Sequence, residues 1–194
     1  RLEVQLAQAE DKVRAAQERA AALERRLAAK DTRQNDRKGA TGRNEQKVDE
    51  AALKDELKKL LAELERFPGD RDILDIIGQK VWMLRDVRFL EWLAERMKAI
   101  LDDAVRRDGE TADYIYGRAT AHMVEMARCK SLMREEPSKG AVLGPKMMEL
   151  SEKILRCYDA ILKKSPNDHR TRLMRAVFLL YSPGRRDEGM KELE

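Results

Sequence analysis

Residues 67–84 read FPGDRDILDIIGQKVWML, and the fold follows from them. Phe67-Pro68-Gly69-Asp70 breaks whatever precedes it, because Pro has no amide hydrogen to give a helix and Gly tolerates a turn. The apolar residues that follow, Ile73, Leu74, Ile76, Ile77, Val81 and Leu84, recur at helical spacing. Upstream, Leu53, Leu57, Leu60, Leu61 and Leu64 form one face of a helix ending near Arg66. Downstream, Arg85-Asp86-Val87 is a turn. A third helix is predicted over 87–105, through Phe89, Leu90, Leu93, Met97, Ile100 and Leu101, and Asp108-Gly109 ends it.

The same pattern continues. A fourth helix is predicted over 111–133, followed by a loop from Glu136 to Pro145, and a fifth over 146–164 with Met147, Leu150, Ile154, Leu155, Tyr158, Ile161 and Leu162. Ser165-Pro166-Asn167-Asp168 breaks the chain before a sixth helix over 169–181. After the turn Ser182-Pro183-Gly184, residues 187–194 start a seventh helix, and stacking is expected to run on past Glu194.

The first 47 residues are different. Leu2, Leu6, Ala9, Val13, Ala16, Ala20, Leu23 and Leu27 alternate by four and three without an interrupting Gly or Pro, the spacing of a coiled coil over residues 1–29. Residues 30–47 lose every large apolar side chain and are expected to be a flexible basic linker; their six cations and three acids carry +3 of the net +4. Residues 48–194 form the third region, a helical domain. Charged residues make up 39% of the chain and β-branched and aromatic residues are sparse, so an all-α protein is expected and a sizeable sheet is not.

Helix, proline-containing turn and helix, in recurrence, resemble the tetratricopeptide repeat. In that family a large residue stands six positions after the turn proline, a Leu-Gly-type pair at nine and ten, and another large residue at thirteen. After Pro68 these are Leu74, Ile77, Gly78 and Val81. After Pro166, Ala176 and Leu179 fit, but Arg172 and Arg175 stand where apolar residues are expected, and Asp187-Glu188-Gly189 is similar to the start of the family's second helix. Tyr116-Gly117 looks like a further Leu-Gly pair, in a unit longer than the family's. The resemblance covers about residues 50–194 and implies an antiparallel helix-pair solenoid in which Gly78 lets the two helices of its pair approach closely.

The resemblance also implies a groove lined by the first helix of each pair. The positions that would face it are Asp72, Asp75, Gln79, Trp82 and Met83, then Tyr114, Arg118 and His122, then Arg170, Leu173, Val177 and Tyr181. Aromatic anchors among mixed charge and apolar area suit a peptide or a partner helix. Asp75 and Gln79 stand where the family's chaperone-tail receptors need a cation and an Asn, which disfavours that ligand. The function expected is a protein-interaction scaffold that oligomerises through its coiled coil. A structural subunit of a larger assembly is the alternative, since the order of coiled coil, linker and repeats is similar to that of a bacterial periplasmic family acting in envelope constriction.

No catalytic signature stands out. GxxxxGK[ST], GxSxG and HExxH do not occur. His122 and His169 have no second and third ligand at a metal-site spacing. Gly39-Ala40-Thr41-Gly42 has no strand before it to build a phosphate loop. Neither enzyme activity nor a cofactor or metal is expected. Arg37, Lys38 and Arg43 in the linker lack aromatic neighbours, so nucleic-acid contact would be weak and salt-dependent. No segment reaches the roughly 20 apolar residues of a membrane span. Cys129 and Cys157 are expected to be free thiols in a reducing compartment, which favours the cytoplasm, with the periplasm as alternative. The chain starts at Arg1 rather than Met, so it is read as a piece or a mature form, and the lack of a leader says little about its address.

The seam residues Leu2, Leu6, Val13, Leu23 and Leu27, flanked by Glu3, Glu10 and Glu24 at e and Lys12, Arg19 and Arg26 at g, select a parallel homo-oligomer. In an antiparallel pair cation would face cation. Three of the eight seam residues are Ala, so the association is expected to be weak. Sedimentation of the full chain against residues 48–194 should show self-association only in the longer species; two monomers at high concentration would remove the coiled coil.

Overall fold

The computed structural model describes residues 49–182 and 184–193. The heptad of residues 1–29 with its seam Leu2, Leu6, Val13, Leu23 and Leu27, and the linker 30–47, lie outside the described residues. Those described are all-α. Helix α1 spans Glu50–Arg66, α2 Arg71–Lys80, α3 Val87–Asp108, α4 Ala112–Glu135, α5 Gly140–Lys164, α6 His169–Leu180 and α7 Arg186–Leu193.

Most helices start at a side-chain cap. Asp49 accepts from the amides of Ala51 and Ala52, Asp70 from Asp72 and Ile73, Asp86 from Phe89, Thr111 from Tyr114 and Asp168 from Thr171. Each cap satisfies amides that the first helical turn leaves without a partner, worth about 1 kcal/mol apiece. The turn read at 67–70 therefore both ends α1 and starts α2.

Two expected boundaries move. The helix through Val81 tightens into a single 3-10 turn at Val81–Met83. The loop expected over 136–145 is mostly helix: a 3-10 turn at Pro137–Lys139 leads straight into α5, which carries Pro145 inside it. Pro145 cannot donate to the carbonyl of Ala141. Ala141 is exposed, so water can take that bond and the helix passes through.

The helices form two parallel sets. α1 runs beside α3, as the pairs Lys54–Asp86 and Glu65–Arg96 record. α2 runs beside α4, with Asp75 against Tyr116 and Leu84 against Ser131. Successive long helices are antiparallel, shown by Glu91–Arg128 and Lys98–Glu125 between α3 and α4. At the centre lies α4, buried on more than one face through Ile115, Tyr116, Ala119, Ala121, Met123, Val124 and Ala127. It packs on α2, α3 and α5. The core around it takes in Leu57 and Leu64 of α1, Leu74 and Ile77 of α2, Leu90, Leu93 and Met97 of α3, and Ile154, Tyr158 and Ile161 of α5. Each such side chain contributes about 1.5–3 kcal/mol when fully buried.

The α6–α7 hairpin joins this core only at its edge, through the half-buried Met174 and Phe178. Much of its attachment is polar. Arg71 reaches Asp168, Arg170 reaches Asp75, Arg175 reaches Asp159, and Arg185 lies 3.5 Å from Glu152.

Gly78 is buried as expected but against a different neighbour. A Cβ there would meet Met123 Sδ and Thr120 Cγ2 of α4, both at 3.7 Å, and not the helix that follows in sequence. The crossing that does need a glycine is at Gly189, where a Cβ would stand 2.8 Å from both the Ala176 carbonyl oxygen and the Leu180 amide nitrogen. Gly189→Ala should therefore destabilise the α6–α7 packing by about 1–3 kcal/mol, read as lost hydrogen-exchange protection over 169–193. Gly78→Ala should stabilise by about 0.5–1 kcal/mol, as alanine generally does in a helix interior. Equal effects at the two positions would contradict these packings.

Candidate functional site

The N-terminal ends of α2, α4 and α6 converge, and charged side chains fill the junction. Arg71, the first residue of α2, donates from Nε to Asp113 of α4 at 2.8 Å and from Nη1 to Asp168, the cap of α6, at 2.6 Å. The same Nη1 lies 3.3 Å from the Thr171 hydroxyl. Arg170 of α6 answers in the opposite direction, donating to Asp75 at 2.6 Å and pairing with Asp72 at 2.7 Å. The second oxygen of Asp75 accepts from the Tyr116 hydroxyl at 2.5 Å. The Arg71 guanidinium also lies 5.0 Å from the centre of the Tyr116 ring, and Tyr116 packs against Tyr158 with ring centres 5.9 Å apart.

Burial and pairing set the electrostatics. Burial first, then the bond to Asp75, pushes the Tyr116 phenol well above its ordinary range, so it stays a donor. Burial pulls Arg71 and Arg170 down, but their carboxylate partners outweigh it and hold both cations charged. The Tyr158 hydroxyl is buried with no hydrogen-bond partner among the described residues.

The expected groove residues fall into three groups. Asp72, Asp75 and Arg170 pair with one another, and this joins the ends of α2 and α6. Tyr114, Arg118 and His122 bond along α4 and to its neighbours: Tyr114 donates to Asp108 at 2.8 Å, Arg118 pairs with Glu110 at 2.7 Å, and His122 Nδ1 lies 3.4 Å from Glu125. That contact first, with Lys98 adding to it, holds the Glu125 carboxyl down at about 2. Gln79, Met83, Leu173 and Tyr181 are exposed and Val177 is half-buried. Trp82 is half-buried, with the Lys130 ammonium 5.5 Å from its ring centre. Trp82 and Tyr114 do not share one pocket, because Lys130 and Tyr114 are sixteen residues apart on α4, about 24 Å of helix rise.

Asp72, Ile76, Gln79 and Met83 follow one another at helical spacing along α2 and its last turn. Arg170, Met174, Val177 and Tyr181 do so along α6. The first members of the two stripes are bonded. The last members are uncovered, with Met83 46% and Tyr181 86% exposed, and Leu173, one turn from Arg170 on α6, is 53% exposed. The two stripes are thus bonded at their first members, and each ends in an exposed side chain.

Sequence reasoning missed Arg71, Asp113, Asp168 and Tyr116. The available signal was an acid before or within the first turn of α2, α4 and α6, with Arg at the start of α2 and α6.

Other surfaces offer less chemistry. A depression of about 430 Å³ between α1 and α3 is lined by Glu65, Arg96, Ala99, Ile100, Asp103, Arg106 and Arg107. There Arg96 already pairs with Glu65, and Arg106 with Asp103. Cys129 is buried and Cys157 half-buried, both free thiols, and burial pushes Cys157 up to about 11. Among the described residues no three His, Cys, Asp or Glu side chains gather as a metal site, and no helix is long and apolar enough to cross a membrane.

Asp75 and Asp72 test the junction against each other. The Asp75 side chain is 18% exposed and holds both Arg170 and Tyr116, whereas Asp72 is 71% exposed. Asp75→Ala should cost about 1–3 kcal/mol by urea unfolding, because it strands the buried Tyr116 hydroxyl and leaves Arg170 only its pair with Asp72. Asp72→Ala should stay within about 0.5 kcal/mol. A loss at Asp75 within about 0.5 kcal/mol would mean that the junction does not bear on stability.

Compared with protein families, curated proteins and solved structures, the chain matches none of them.

Proposed function

We propose that this chain is a non-enzymatic interaction scaffold that takes a peptide or helix on the face shared by α2, α4 and α6, in the manner of a tetratricopeptide repeat. The observation that carries the reading is the pair of stripes tied at Arg170–Asp72 and uncovered at Met83 and Tyr181. Leu173, Val177 and Tyr181 offer apolar area at i, i+4 and i+8, the spacing at which a second helix or an extended segment packs. The parallel alignment of α2 with α4, forty-odd residues apart in sequence, supports a repeat built from longer units than the family's. The heptad of residues 1–29 supports self-association beside this role.

A second reading, a subunit packed inside a larger assembly, is favoured by Met190 and Leu193, which leave apolar area exposed on α7.

Selecting a displayed random-peptide library on the full chain tests the first reading. Enriched peptides should bind at least about tenfold more weakly, roughly 1.4 kcal/mol, to Leu173→Glu and to Tyr181→Ala, with helical content unchanged. Both side chains are exposed, so neither substitution should unfold the domain. Peptides that bind the variants as well as the parent would remove the face from the proposal.

A further inference from the structure

The Met83 end of that face has a chemistry of its own. The loop Leu84–Asp86 is held from several sides. The Leu84 amide donates to Val81 and its carbonyl accepts from the Ser131 hydroxyl at 3.2 Å. The amides of Arg85 and Asp86 both donate to one carboxylate oxygen of Glu50 at 2.9 Å. Asp86 then caps α3 and pairs with Lys54 at 2.5 Å. A loop fixed this way gives up little freedom when something binds it.

Four exposed cations surround this loop: Arg85 on it, Arg88 in the first turn of α3, Lys130 beside it on α4, and Arg134 one helical turn beyond Lys130. Among the described residues none of the four has a carboxylate at ion-pairing distance. Of the carboxylates nearby, Asp86 pairs with Lys54, Glu91 with Arg128, and Glu50 accepts from the loop's own amides. Glu135 adjoins Arg134 and leaves the cations in excess. Between them stand exposed Met83 and half-buried Trp82, an adaptable apolar contact beside an aromatic one.

We infer that this platform docks an acidic peptide segment carrying an apolar anchor. Met83 and the edge of Trp82 receive the anchor, and Arg85, Arg88, Lys130 and Arg134 receive the flanking carboxylates. The inference rests on the α2–α4–α6 face being a peptide receptor and gives the partner's chemistry at one end of it. Charge complementarity selects an acidic segment over a basic one. A peptide is favoured over a nucleic acid because the Trp82 ring is half-buried with Lys130 against it, and no exposed aromatic in this patch is free to stack a base.

The test uses the full chain and three labelled probes in fluorescence anisotropy. They are a peptide of about sixteen residues, four helical turns, with Leu at helical spacing and Glu between, its Lys-for-Glu copy, and oligo-dT of about twenty nucleotides. The acidic peptide should bind, and the basic copy should bind at least about tenfold more weakly. Arg85→Glu with Lys130→Glu, and separately Met83→Asp, should each weaken the acidic peptide by about tenfold or more, with circular dichroism unchanged. If the acidic peptide responds to Leu173→Glu but not to the Arg85 and Lys130 changes, the face stands and the platform falls. No binding of either peptide, together with no peptides enriched from the library, overturns both. Oligo-dT binding lost in the same charge variants would make the platform a nucleic-acid contact.

Discussion

Everything in this domain is built around one helix that is buried on more than one face. α4 touches α2, α3 and α5, and a helix buried on several faces must be narrow wherever a neighbour crosses it. Its sequence meets that demand with Gly117, Ala119, Thr120, Ala121, Ala127 and Ser131, all buried. At Gly117 a Cβ would stand 2.5 Å from Leu101 Cδ2, so the Leu101 side chain of α3 packs directly on the α4 backbone. Polar members of the set are satisfied at once: Thr120 returns its hydroxyl to the Tyr116 carbonyl and Ser131 bonds Leu84. Three neighbours lie along α4, α2 parallel to it, and α6 meets both at their starts.

That meeting point is polar, and polar closure differs from apolar closure. Arg71 and Arg170 each lose water and regain it as two carboxylate contacts, an exchange that nets little stability but tolerates one geometry. The apolar contacts of Met174 and Phe178 could be satisfied over a range of tilts; the paired guanidinium bonds cannot. The junction therefore sets the angle at which α6 leaves the core, and with it the exposure of Leu173, Val177 and Tyr181. The exposed area of α6 and the rest of the fold are thus linked through two arginines as well as through apolar packing.

The helices were legible because their signals are local. The breaks at Pro68 and Pro166 and the apolar spacing of α1 to α3 and α5 depend on neighbours within a turn or two. The loop at 136–145 misled because Gly140, Gly144 and Pro145 ordinarily stop a helix; exposure of Ala141 removes the penalty, and exposure is a tertiary fact. Gly78 misled in a related way, since a buried glycine announces close packing without naming the neighbour. The charge junction was the least legible part. Asp75 and Arg170 lie ninety-five residues apart, and in a chain this rich in charge nothing in the spacing marks two among so many as partners. The expected groove residues follow from the resemblance to the repeat family, which places side chains on a face but does not say which of them are already engaged.

The polar attachment of the α6–α7 hairpin also bears on how the molecule senses its medium. Ion pairs near a surface weaken as dissolved salt shortens the reach of charge, to about 8 Å at physiological strength and about 3 Å at 1 M. An apolar core does not weaken in that way. One continuous domain thus contains a part anchored by a salt-insensitive force and a part anchored by a salt-sensitive one. The pairs with an exposed carboxylate, Arg175–Asp159 and Arg185–Glu152, are the ones that rising salt weakens first, while Arg71–Asp168, with side chains 16% and 15% exposed, is screened much less.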